Sequence, residues 1–315
     1  MRRSPGSIQE WEIDMVARML ALVLSSSALA GCASGGWAQN AEATQKKVLN
    51  ASVAFDGAQH PALDVAEGNG AIKVVRDDTL GQARIEATIR SKDAKRLEAA
   101  RLTSAFEDGV LRVRVEWPGG KEINGDAASF VITGPAFDGL TLETGNGEIE
   151  IEGQSGAAKL KSGNGSVVAT AHRGEAELRT GNGEIEAKEI TGRVFADSGN
   201  GSVSIVAAGG EVTARSDNGD VAIELADACA GPVTASSGMG DVALTLGRGF
   251  RGAIDGSTGM GGVRVIGSSP AARVVSRSNR AFNVEVGSGA EVGAERSRVS
   301  SGMGSVSVRL AKPNA

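Results

Sequence analysis

The sequence predicts a parallel β-solenoid. Three observations carry that prediction: a motif recurring at a fixed interval, a two-residue alternation inside each interval, and a composition nearly free of rings. The motif is first complete at Thr144-Gly145-Asn146-Gly147-Glu148-Ile149 and returns at 162–167, 180–185, 198–203, 216–221, 237–242, 258–263 and 301–306. Its last Gly falls at 147, 165, 183, 201 and 219, a step of 18, then at 240 and 261, a step of 21. The final copy, ending at Gly304, lies 43 residues further on, about two such units, so a degenerate copy is expected near 278–286. A constant interval is a coil length, and such units bury their apolar face only by stacking.

Inside each unit the period is two. Ile149 and Ile151, Val203 and Ile205, Val221 and Ile223, Val242 and Leu244, and Val306 and Val308 alternate with smaller or polar residues. A second alternating run precedes the next corner, as at Ala176 and Leu178 or Val212 and Ala214. Each unit therefore reads as two short strands with one buried face, joined at Gly-rich corners where Gly and Asn tolerate a positive φ. Right-handed coiling is expected, as for most parallel crossovers. The 45 Gly, the absence of Tyr and the 3% aromatic content suit a narrow interior of Val, Ile, Leu and Ala.

From the N-terminus, 1–31 reads as an export signal. The run 19–29 (MLALVLSSSAL) is too short to span a bilayer. Glu10, Glu12 and Asp14 are acidic where such a signal is basic, so translation is expected to start at Met15. Leu29-Ala30-Gly31-Cys32 resembles the bacterial lipobox, which implies lipidation of Cys32; the other reading is plain cleavage after Ala30. Ser34, two places beyond the Cys, resembles an outer-membrane address. Residues 32–46 are small and polar and read as a flexible tether. The region 47–140 keeps strand signals without the strict period, as in 71–76, 83–90 and 110–117, with two helical turns possible over 93–100. It is expected to be a β-rich cap or degenerate coils covering the solenoid edge, and 141–312 the solenoid proper, with Lys312-Pro313 protecting the far edge.

Val131-Ile132-Thr133-Gly134-Pro135, then 140–149 and the repeated Ser/Thr-Gly-x-Gly-Asp/Glu/Ser-Ile/Val, resemble the bacterial DUF4097 family over most of 47–310. The resemblance implies a β-solenoid cell-envelope protein, often described as an adhesin, without catalytic residues.

Composition narrows the function classes. A net charge of −5 offers no basic excess for nucleic acid. The 2 His and 2 Cys are too few for a zinc cluster or a disulfide framework. Cys229 has no basic neighbour and reads as a small buried residue. His60 and His172 are isolated and read as surface residues. The nonapeptide calcium roll fails because Ile149, Val167, Ile185, Val203 and Val221 stand where it needs Asp. No cofactor and no metal is expected.

Stacking places Asn146, Asn164, Asn182, Asn200 and Asn218 in one ladder, expected to bond to corner backbone or to each other. In the longer coils that place passes to Met239, Met260 and Met303. Thioethers there could take a soft metal, and the plainer expectation is an apolar seam filling a wider corner. The candidate surface ladder is Glu148, Ser166, Glu184, Ser202, Asp220 and Asp241. These residues point to a non-catalytic, lipid-anchored envelope protein, an adhesin or scaffold, whose partners would be the membrane, an envelope polysaccharide or another surface protein. The alternative is a carbohydrate-active β-helix enzyme, a lyase or hydrolase, which would need clustered, perturbed carboxylates in a groove.

Overall fold

The computed structural model describes residues 44–54, 60–229, 231–267, 269, 272–287 and 296–311. The lipobox Leu29, Ala30, Gly31 and Cys32, most of the tether and Lys312-Pro313 lie outside the described residues. Each repeat supplies one strand entering the Gly corner and one leaving it. Entry strands form a 13-stranded sheet and exit strands a 12-stranded sheet, with the aliphatic rows packed between them. The chain is a two-sheet parallel β-solenoid. Ile185 sits beside Val167 and Val203 in parallel register and is 1% exposed, while the next residue, Glu186, is half-buried.

The corner explains the motif. Its Ser or Thr is buried, and the hydroxyl works twice. Ser198 Oγ donates to the Gly183 carbonyl of the neighbouring coil at 2.9 Å and accepts from the Gly201 amide of its own corner at 2.9 Å. The last Gly is needed for contact rather than conformation: a Cβ at Gly165 would stand 1.9 Å from the Gly147 carbonyl oxygen. This corrects the expectation of positive φ at that corner, which holds only for Gly70 of the first coil (φ 149°). Left-handed backbone occurs at the opposite corner, at Gly153 (φ 71°), Ala171 (54°), Glu189 (55°) and Ala207 (57°).

The hydroxyl staples also report which coil sits on which. Thr144 reaches Gly70, so the coil made of Ala62–Glu67 and Ile72–Arg76 is the true first coil, with Gly68-Asn69-Gly70 as its corner. Residues 77–137 are an excursion that caps it. In one sheet, Ala127–Gly134 lies parallel to Ile72–Arg76, and Gln82–Ser91 and Gln45–Ala54 follow antiparallel. In the other, the hairpin of Arg101–Glu107 and Val110–Glu116 covers Ala62–Glu67. Residues 62–76 thus form a coil, and the excursion pairs with both of its strands.

The far end departs from sequence order. Ser237 staples to Gly219, Ser301 to Gly240, and Thr258 to Gly304. The last coil, Arg296–Ser301 and Val306–Arg309, therefore lies between the coil containing Val242–Thr245 and the earlier one containing Val263–Ile266. The degenerate copy expected near 278–286 is not a coil: Ala281–Val286 runs antiparallel against Gly252–Thr258 and pairs with Ala272–Arg277 as a covering hairpin. The last strand is internal rather than at the edge of its sheet.

Candidate functional site

The outer line of the Gly corner carries an amide ladder. Asn164 Nδ2 donates to Asn146 Oδ1 at 2.5 Å, Asn182 to Asn164 at 2.6 Å, Asn200 to Asn182 at 2.6 Å and Asn218 to Asn200 at 2.7 Å. Asn146 donates in turn to Asn69, a member the sequence reading missed, at 2.6 Å. Every amide donates toward the N-terminal end, where Asn69 Nδ2 meets the Glu122 carboxylate. The side chains satisfy one another, as expected of the ladder.

Glu122 is held there by the cap. Arg96, in a short helix (Ala94–Ala99), donates to Pro118 O at 2.9 Å, to Lys121 O at 2.8 Å and to the buried Asp126 carboxylate at 2.6 Å. Burial alone would raise the Asp126 carboxyl; hydrogen bonds from Arg96 and Ser91 overcome it and hold it below the usual range. Glu122 then lies against Gly68 and beside Glu67 in a cleft of about 430 Å³ that Trp117 also lines. Burial, and then the Glu122 charge, push the Glu67 carboxyl up to about 8. Glu67 is thus a perturbed carboxyl of the kind an enzyme would need. The Glu122 carboxylate beside Glu67 is taken up by Asn69 Nδ2. Trp117 is only 7% exposed and presents no free face for a sugar.

The candidate surface ladder forms one continuous row, because Ile149, Val167, Ile185, Val203, Val221 and Val242 are neighbours in register. Glu148, Glu184, Ser202, Asp220 and Asp241 are exposed and Ser166 half-buried. Two members also build the turn: Asp220 Oδ1 accepts the Asp241 amide at 2.8 Å, and Asp241 Oδ1 the Ser305 amide at 2.7 Å. Ser305 extends the row and was hidden by the order of the coils. Elsewhere on the two faces acids are paired, as Glu150 with Lys73 at 2.8 Å and Glu143 with Lys161 at 2.7 Å.

Met239, Met260 and Met303 do not fill a corner. They are 52%, 70% and 51% exposed, which corrects the seam expected there. His172 is buried, not on the surface; its Nε2 meets Gly156 O at 3.0 Å and burial lowers its pKa. Cys229 is buried as expected, with Sγ 3.3 Å from Gly210 O and the thiol pushed up by burial. Among the described residues no cluster of three or more His, Cys, Asp or Glu could hold a metal ion.

The class that this geometry defines is a two-sheet β-solenoid with self-bonded corner ladders. No family model matches the chain, and no curated protein matches it. Among solved structures it is similar to a "putative adhesin" from Bacteroides fragilis, at 12% identity over 84% of this chain and 97% of that one, with a TM-score of 0.40. It is also similar to a "putative lipid binding protein" from Parabacteroides distasonis, at 15% identity over 85% and 97%, with a TM-score of 0.39. A "putative adhesin" from Parabacteroides merdae follows at 10% identity over 84% and 96%, TM-score 0.34. Likenesses this loose transfer no activity to the chain.

Proposed function

We propose that the chain is a non-catalytic cell-envelope protein, an adhesin or scaffold, whose solenoid offers rows of equivalent polar groups to an extended partner such as an envelope polysaccharide. The observation behind this reading is the continuous row from Glu148 to Asp241, one member per coil at the strand spacing of about 4.8 Å. Repeated weak contacts of that kind sum by avidity. The motif resemblance to DUF4097 agrees with such a role, and the lipobox at Leu29, Ala30, Gly31 and Cys32 supports anchoring through a lipid on Cys32, with Ser34 favouring the outer membrane.

The test is retention of the purified protein on immobilised envelope polysaccharides. Replacing Glu148, Glu184, Asp220 and Asp241 singly should weaken retention by small steps, and replacing them together should abolish it. Release of sugar products, lost on changing a single carboxylate, would replace this reading by the enzymatic one. Labelling with radioactive palmitate checks the anchor: wild type takes up label and Cys32→Ala does not, whereas an exported wild type without label overturns the lipid.

A further inference from the structure

The row that starts as amides ends as thioethers, and the order of those thioethers follows the fold rather than the chain. Met239 N–H donates to Asp217 O at 3.1 Å, Met303 N–H to Gly238 O at 3.1 Å, and Met260 N–H to Gly302 O at 3.2 Å. These bonds set Met239, Met303 and Met260 on three successive rungs, one strand spacing of about 4.8 Å apart. In sequence they are separated by 21 and 43 residues; only the insertion of the last coil makes them adjacent. Of the 6 Met in the chain, all that follow Met19 stand on this one line.

Burial does not account for them, since each is at least half exposed. An exposed Met loses the packing that normally justifies an apolar side chain, and the coil corner itself is satisfied by Asn in the neighbouring repeats. What three thioethers on adjacent rungs share is sulfur on a long, unbranched, three-torsion arm. The outer two start two rungs apart and can bend toward the middle one. Hard cations have no use for such ligands; soft monovalent ions do.

The surroundings favour a cation. The amide ladder is oriented, each Nδ2 donating toward Asn69, so its carbonyl end, Asn218 Oδ1, faces the rung of Met239. Bonded amides in a row polarise one another in the same sense. Asp217, Asp220 and Asp241 are exposed around that junction. We propose that Met239, Met303 and Met260 form a surface site for a soft monovalent metal ion of the Cu(I) or Ag(I) type.

The site is tested with the full chain carrying Cys32→Ser, so that this thiol cannot contribute, under reducing, oxygen-free conditions. Cu(I) is offered from a chromogenic chelator, and Ag(I) is titrated in parallel. The expected result is one ion per chain, with X-ray absorption showing a sulfur-only first shell. Met239→Leu/Met260→Leu/Met303→Leu is close to volume-conserving at exposed positions, so it should melt unchanged while uptake falls to background. Met303→Leu alone removes the middle ligand and should weaken binding at least as much as losing a supporting outer-shell group, about 10- to 100-fold. No uptake by the parent, undiminished uptake by the triple variant, or a nitrogen- or oxygen-only shell would each overturn the site. Because the readout is the metal itself, a failure of polysaccharide retention leaves this result standing, and the reverse holds too.

Discussion

One corner line of the molecule is built in two ways. From Asn69 to Asn218 it is a chain of amides, each donating to one neighbour and accepting from the other; from Met239 to Met260 it is a row of thioethers that neither donate nor close on themselves. The backbone beneath is the same in both. Ser162 and Ser301 make the same pair of bonds, and a Cβ at Gly165 or Gly304 would stand within 2.2 Å of the neighbouring carbonyl oxygen. The corner therefore leaves its outermost side chain free to vary. The amide stretch spends that freedom on sealing itself; the thioether stretch leaves it open to solvent.

The largest expected effect breaks both stretches alike. Gly165→Ala and Gly304→Ala would drive a Cβ to 1.9 Å and 2.2 Å from a backbone carbonyl oxygen, so each should cost more than about 3 kcal/mol in thermal or denaturant unfolding. Gly81→Ala, with open space around it and no left-handed φ, should stay within about 0.5 kcal/mol. A large difference between the two corner variants would show that the halves do not share one backbone design.

Next comes the side-chain line itself. Asn182→Leu removes a donor and an acceptor at mid-ladder and should cost about 1 kcal/mol, solvent replacing part of what is lost. Met303→Leu should change stability by less than about 0.5 kcal/mol. Equal losses in chemical denaturation would mean that the amide bonds add nothing.

The sealed end of the ladder carries a pH dependence. The folded state holds a proton on Glu67 that the unfolded chain has released once the pH passes the ordinary carboxylate range. Stability should therefore fall as pH rises from about 4.5 toward about 8, and level off above that. Glu67→Gln should flatten that slope in unfolding curves taken across the range. A slope of the opposite sign would show that burial beside Glu122 does not raise the Glu67 carboxyl.

The smallest effect lies at the opposite corner. Glu189 holds a left-handed φ of 55° that glycine adopts without strain, so Glu189→Gly should stabilise by about 1 kcal/mol or less. A loss of stability would mean that the Glu189 side chain contributes more than its backbone costs.

Much of this was legible in the residues. The interval of the Gly corner set the coil, and the alternation at Ile185 and Glu186 set the register. The first corner, Gly68-Asn69-Gly70, escaped because the excursion separates it from the next copy, although the same three residues recur there. Glu122 carried no signal at all: it reaches the ladder only because Arg96 and Asp126 hold its loop over Gly68.

The sequence by itself determined the local units, because strand alternation, the Ser or Thr staple and the Gly corner are all decided within a few residues of one another. Which coil lies on which was decided only in three dimensions. Every coil presents nearly the same edge and the same aliphatic row, so nothing local distinguishes one neighbour from another. The last coil enters between two earlier ones because the hairpin Ala272–Arg277 and Ala281–Val286 occupies the edge of Gly252–Thr258 that would otherwise receive it. That choice, made by strand pairing rather than chain order, is what sets Met303 between Met239 and Met260.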